Sequence, residues 1–192
     1  MSPTIQSAAA HLGPMFEAIA ADGMLVLDRL ALSPGARVLD VGTGVGNFAI
    51  LLALNGFDVV TGEPENDTTH YAGHNWAANA DAVGVRDLIR FEAFDAHQMP
   101  FEDHTFDAVF FFGVLHHIDE KVRGAAFQQA LRVAKPGATV SYFEPSASTL
   151  QRVWETDPDH PIAATPSNYR GDLQVRETRM SGAIMDIYLF ET

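Results

Sequence analysis

The chain has 192 residues, 47% apolar and 19% charged, with no cysteine and a formal net charge of −13. That length and balance fit one globular domain with a full core, and the missing cysteines exclude disulfides, thiolate metal centres and a cysteine nucleophile. The negative charge sets the chain against phosphate backbones, so no nucleic-acid partner is expected; no apolar run reaches membrane-span length and Met1-Ser2-Pro3-Thr4 lacks secretory-leader features, so no membrane and a cytoplasmic location are expected.

Residues 5–32 put Ala8, Leu12, Met15, Phe16, Ile19, Leu25, Leu27 and Leu30 at helical spacing, with Gly23 interrupting. We read two helices, or one broken helix, as a lid or cap over residues 1–32. The main unit runs from 33 to 192, and the whole forms one domain. Apolar residues at helical spacing chiefly pack on a core, and Met15 and Phe16 are the candidates for lining a pocket.

Val38 to Val41 is a short apolar run with Asp40 inside it, which reads as a strand buried on both faces. Gly42-Thr43-Gly44-Val45-Gly46 follows as a turn almost free of side chains. Phe48 to Leu54 then reads as a helix, stopped at Asn55-Gly56. A strand, a glycine turn and a helix start let the backbone approach a ligand closely. The glycines run G-x-G-x-G, not the G-x-G-x-x-G of a pyrophosphate cradle, and Asp40 stands two residues before the first of them. A carboxylate there repels an anion and favours a cationic ligand.

Phe57 to Glu65 reads as a second strand ending in acids. Glu63 lies about twenty residues past the glycine turn, where open α/β sheets place a carboxylate to accept from a ribose diol. Pro64 ends that strand. Thr68 to Ala82 reads as a helix. His70 and His74 share one of its faces at ligand spacing, but no third ligand accompanies them; Tyr71 and His74 can border a pocket, and Trp76 reads as core. No metal is assigned.

Leu88 to Ala93 alternates as a third strand, leading into Phe94-Asp95-Ala96-His97-Gln98-Met99-Pro100-Phe101. Ala108 to Phe112 is apolar on both faces and marks a central parallel strand, followed by Gly113-Val114-Leu115-His116-His117-Ile118. Ligands of open α/β sheets sit outside the carboxyl ends of the strands, which places Phe112, Gly113, His116 and His117 at the site. A neutral imidazole there can take a proton from an acceptor or hold the loop by bonding backbone. Successive residues point different ways, so if one serves as a base, only one of the two reaches the acceptor.

A helix from Asp119 or Glu120 to Val133 ends at Lys135-Pro136-Gly137. Ala138 to Glu144 is a fifth strand, with Glu144 at its carboxyl end as an acceptor-side candidate. Ser148 to Glu155 reads as a short helix and Asp157 to Asn168 as a loop or mobile lid, whose Asp157, Asp159 and His160 suggest a metal-ligand set but read chiefly as a solvated turn. Leu173 to Met180 and Ala183 to Phe190 flank Ser181-Gly182 as a hairpin.

The run Val38-Leu39-Asp40-Val41-Gly42-Thr43-Gly44-Val45-Gly46 strongly resembles the first motif of class I S-adenosylmethionine-dependent methyltransferases. Phe94-Asp95-Ala96 followed by Met99-Pro100-Phe101 resembles their adenine-holding loop. Phe106-Asp107-Ala108-Val109 followed by Leu115-His116-His117-Ile118 resembles the small-molecule branch, and Leu131 to Ala138 resembles the family's usual entry to the fifth strand. The Pro-Pro motif of DNA amino-methyltransferases is absent. The resemblance covers residues 36–145 by motif. It implies a Rossmann-like α/β sheet of seven strands in the order 3-2-1-4-5-7-6, closed by an antiparallel hairpin. It further implies S-adenosylmethionine as cofactor, held by Asp40, Gly42, Thr43, Gly44, Glu63, Pro64, Asp95, Ala96, Phe112 and Gly113. Direct methyl transfer to a small-molecule acceptor follows, with His116, His117 and Glu144 as the acceptor-side candidates. In direct displacement the protein chiefly aligns acceptor and sulfonium and excludes water, and a base is not required. The G-x-G-x-G spacing and Asp40 argue against a nicotinamide-dependent oxidoreductase. A cofactor-binding module without catalysis would carry the same motifs.

Overall fold

The computed structural model describes residues 3–66, 72 and 74–191. Seven strands form one sheet: β1 (Arg37–Val41), β2 (Asp58–Gly62), β3 (Ile89–Phe91), β4 (Phe106–Phe112), β5 (Ala134–Pro145), β6 (Arg176–Ser181) and β7 (Met185–Glu191). Their order is β3-β2-β1-β4-β5-β7-β6, as the resemblance implies. β1 to β5 run parallel, and β7 runs antiparallel between β5 and β6. The helices are α1 (Ile5–Leu12), α2 (Pro14–Leu30), α3 (Asn47–Leu54), α4 (Trp76–Ala82), α5 (Glu120–Val133) and α6 (Ala147–Trp154).

Side-chain alternation along the strands builds two cores. Val38 of β1, Val59 of β2 and Phe110 of β4 point to one face, where Phe16 and Ile19 of α2 and most of α3 cover them. Leu39, Val60, Val109 and Phe111 point to the other, under Phe127 and Ala130 of α5. Because α3 lies between α2 and the sheet, Phe48 to Ala53 are all buried, which is why its sequence is apolar all round.

The first two helices break at Gly13-Pro14 and not at Gly23. Proline at the first position of α2 suits a helix start, where no intrahelical donor is needed. Gly23 stays helical and is a packing glycine: a Cβ there would stand 2.4 Å from Leu51 Cδ2. Phe16 is core, and Met15 is 63% exposed. No described residue of α1 or α2 lines the cavity described below.

Other boundaries shift modestly. α4 starts at Trp76, with Asn75 Oδ1 accepting from Ala78 N, so the helix expected from Thr68 does not include 74 and 75. His70 and Tyr71 lie outside the described residues. Trp76 is half-buried under the Arg86 guanidinium, 4.5 Å from its ring, instead of fully core. β5 begins at Ala134, four residues before the expected start, because Ala134 pairs with Phe106 before the register shifts.

At the far edge, Asp22 of α2 is fully buried, and its carboxylate accepts from the backbone N–H groups of Ala183, Ile184 (3.0 Å) and Met185 (2.8 Å). An N-terminal helix thereby clamps the turn of the C-terminal hairpin. Among the described residues no helix is long and apolar enough to cross a membrane.

Candidate functional site

The register pairs Val41 with Gly62 on one side and with Phe111 on the other, so the carboxyl ends of β1, β2 and β4 finish level. Chain direction switches sides between β1 and β4, the place where open α/β sheets open a crevice. A cavity of about 540 Å³ lies there, lined by Gly42, Gly44, Glu63, Pro64, Asp95 and Ala96 on one side and Phe112, Gly113 and His117 on another.

Gly42 shows why the turn carries no side chain. Its φ is +90°, and a Cβ would sit 2.3 Å from Val114 Cγ2. Glu63 Oε2 accepts from Gly44 N at 2.9 Å, which ties the carboxylate after β2 to the glycine turn after β1. Across the cavity, the exposed Asp95 sits in a loop fastened by Arg132 of α5, which donates to the carbonyls of Met99 and Phe101 at 2.9 and 2.7 Å. Phe112 stacks on Phe48 with ring centroids 4.8 Å apart.

Two of the expected residues lie behind the wall. Asp40 is 1% exposed and Thr43 is 4% exposed, and neither lines the cavity. Thr61 Oγ1 donates to Asp40 Oδ2 at 2.8 Å and lies 3.0 Å from Thr43 Oγ1, so the three brace the turn from beneath. Asp40 therefore lies buried beneath the turn and not exposed at the cavity mouth, where the sequence reading put a carboxylate. Burial pushes its carboxyl up to about 7, with the nearby Glu63 charge adding and the Thr61 hydrogen bond opposing.

On the acceptor side, His117 lines the cavity and His116 is buried behind it, with their ring centroids 4.2 Å apart. His116 Nδ1 donates to Glu144 Oε2 at 2.9 Å, with both side chains 1% exposed. The carboxylate fixes the proton on Nδ1 and leaves Nε2 with its lone pair. Glu144 Oε2 also accepts from Ala164 N at 2.7 Å. Glu144 does not line the cavity, so it acts on the site through His116.

The segment read as a free loop or lid is docked. Trp154 Nε1 donates to the His160 carbonyl at 2.8 Å, and Arg123 of α5 donates to Tyr169 Oη at 2.8 Å and to the His116 carbonyl at 3.0 Å. The docking brings His160, read as part of a solvated turn, onto His116 and His117. One ring nitrogen from each lies within 4.8 Å of the others. Neither the His160 contact nor the ties of Arg123 to Tyr169 and of Arg132 to Met99 and Phe101 left a local signal, because each joins residues far apart along the chain.

The carboxylates and open backbone of this cavity fit S-adenosylmethionine: Glu63 and Asp95 offer acceptors for a ribose diol and an amine, and Phe94, Ala96 and Phe112 offer apolar surface.

Known proteins agree with this architecture. The chain is 36% identical over 118 residues to 27-O-demethylrifamycin SV methyltransferase of Amycolatopsis mediterranei (strain S699), covering 59% of this chain and 42% of that protein. It is 34% identical over 111 residues to demethylmenaquinone methyltransferase of Beutenbergia cavernae, covering 58% and 41%. The chain thus spans about two fifths of the length of these curated relatives. The crystal structure of the PH0226 protein from Pyrococcus horikoshii OT3 shares the fold, with a TM-score of 0.68 at 19% identity over 90% of this chain and 88% of that one. The family model described as a methyltransferase domain matches residues 39–142, from within β1 to within β5, and the chain belongs to that family.

Proposed function

We propose that this chain transfers a methyl group from S-adenosylmethionine to a small-molecule acceptor. The observation that carries the reading is the convergence of the Gly42 and Gly44 backbone with the Glu63 and Asp95 carboxylates on one cavity at the sheet's switch point. Bound there, S-adenosylmethionine supplies an electrophilic methyl on a sulfonium. Glu63 accepts from its ribose hydroxyls and Asp95 from its adenine amine, while Pro64 and Ala96 flank them. Asp40 and Thr43 hold the turn that the cofactor rests on.

Phe112 and Gly113 shape the wall between cofactor and acceptor, and His117 faces the acceptor with Ile118 and Val122 beside it. These residues orient the acceptor's nucleophilic atom and exclude water, the main contributions to a direct displacement. His116 and Glu144 hold the loop that carries His117. The relatives' printed names, a rifamycin and a menaquinone methyltransferase, favour small-molecule acceptors over nucleic acid, in line with the chain's net charge of −13. The cysteine-free composition fits a cytoplasmic location.

The test is release of S-adenosylhomocysteine on incubation with S-adenosylmethionine and a panel of phenol, quinol, aliphatic alcohol and amine acceptors. Acceptor-dependent release with a matching methylated product is expected. Binding without release across the panel would instead favour a cofactor-binding module.

A further inference from the structure

We propose that His116, His117 and His160 form a binding site for a divalent transition-metal ion of the zinc class, open to the acceptor side of the cavity. The three come from two distant stretches, the loop after β4 and the segment after α6, yet one ring nitrogen of each lies within 4.8 Å of the others. Their ring centroids are 4.2, 5.2 and 5.1 Å apart. Tetrahedral coordination at about 2.0–2.1 Å needs nitrogens about 3.4 Å apart, within reach of small side-chain rotations.

Two of the three imidazoles carry the carboxylate partner that characterises metal-binding histidines. Glu144 Oε2 holds Nδ1 of the buried His116 at 2.9 Å, which turns Nε2 into the donor. Asp157 Oδ2 stands 3.4 Å from Nδ1 of His160, whose side chain is 7% exposed, and places a carboxylate beside that ring as well. The His160 backbone is held separately, by Trp154 Nε1 and, through Ala164, by Glu144. An all-imidazole set selects zinc, cobalt, nickel, copper or ferrous ions over magnesium or calcium. Three protein ligands leave the fourth position open, as in catalytic and not structural zinc sites.

Of the three, His117 lines the cavity, so an ion held by them would lie at the cavity wall. The ion's role there rests on the methyl-transfer reading: an acceptor hydroxyl bound to it loses its proton more readily and is fixed in direction. The binding of the ion does not depend on that reading.

The test is calorimetric titration of chelator-treated protein, free of tag histidines, with Zn²⁺, and parallel titration with Co²⁺ read by its visible d–d absorption. S-adenosylhomocysteine binding is measured on every variant. One ion per chain with tetrahedral Co²⁺ absorption is expected. His160→Ala should weaken binding by more than the roughly 10–100-fold that loss of a ligand's hydrogen-bond partner costs, and Asp157→Asn by roughly 10-fold. Both variants should keep their affinity for S-adenosylhomocysteine. No ion bound, or binding unchanged by His160→Ala, would overturn the site. Loss of S-adenosylhomocysteine binding by the unmodified chain would overturn the cofactor reading alone.

Discussion

His116 Nδ1 and Glu144 Oε2 meet at 2.9 Å with both side chains 1% exposed, and the same oxygen accepts from Ala164 N at 2.7 Å. One carboxylate oxygen therefore joins the end of β5, the loop after β4 and the segment that carries His160. Removing it leaves two buried donors without their acceptor, each costing roughly 1–3 kcal/mol. Glu144→Ala should lower unfolding free energy by about 3 kcal/mol in urea titration, with Glu144→Gln losing less because its amide oxygen still accepts. Equal stability of Glu144→Ala and the parent would show that the junction contributes nothing.

Asp40 predicts a pH dependence of stability. Burial raises its carboxyl from the ordinary 3.8 to about 7 in the folded chain, so the native state holds the proton more tightly than the unfolded chain. The stabilisation from this group is fully present below 3.8 and is lost as pH rises to about 7 and beyond. That shift corresponds to a loss of about 4 kcal/mol, at 1.36 kcal/mol per pKa unit. Asp40→Asn should flatten the fall in melting temperature between pH 5 and pH 8. A variant with the parent's pH profile would remove Asp40 as its source.

Glu63 and Asp95 are expected to bind the cofactor through different atoms. Glu63→Ala removes a charged acceptor and also frees Gly44 N, now bonded at 2.9 Å. It should weaken S-adenosylhomocysteine binding by about 1–3 kcal/mol, and Asp95→Ala by less, since Asp95 is exposed. An unchanged dissociation constant in Glu63→Ala would remove that residue from the site.

Asp22 makes a prediction away from the cavity. Its buried carboxylate accepts from three successive backbone N–H groups, Ala183 to Met185, and Asp22→Ala leaves all three unpaired. A loss of roughly 3–5 kcal/mol is expected, the range for breaking a buried charged network. Affinity for S-adenosylhomocysteine under folding conditions should not change, because no described residue of α2 lines the cavity. Lost affinity in a folded Asp22→Ala protein would show that the clamp reaches the site.

The sheet order was legible only through the family resemblance; the residues themselves marked β1 and β4 as buried central strands, by their apolar runs, and the hairpin, by its Ser181-Gly182 turn. The glycine turn and Glu63 were legible from the residues too, being set by short-range spacing along β1, α3 and β2. What the sequence hid depends on distant pairs. The Gly23 break was misread because glycine there answers to Leu51, across the α2–α3 contact. Asp40 was placed at the mouth because spacing along a strand does not reveal that Thr61 closes over it. His160 looked like part of a solvated turn because nothing near it shows that Trp154 and Glu144 fold its segment onto His116.

The most direct test of the central claim is calorimetric titration of the chain with S-adenosylhomocysteine, with NADH as the comparison ligand. One-to-one micromolar binding of S-adenosylhomocysteine and no heat from NADH is the predicted result. Absence of S-adenosylhomocysteine binding by the folded chain would contradict it and leave the glycine turn a structural element without a ligand.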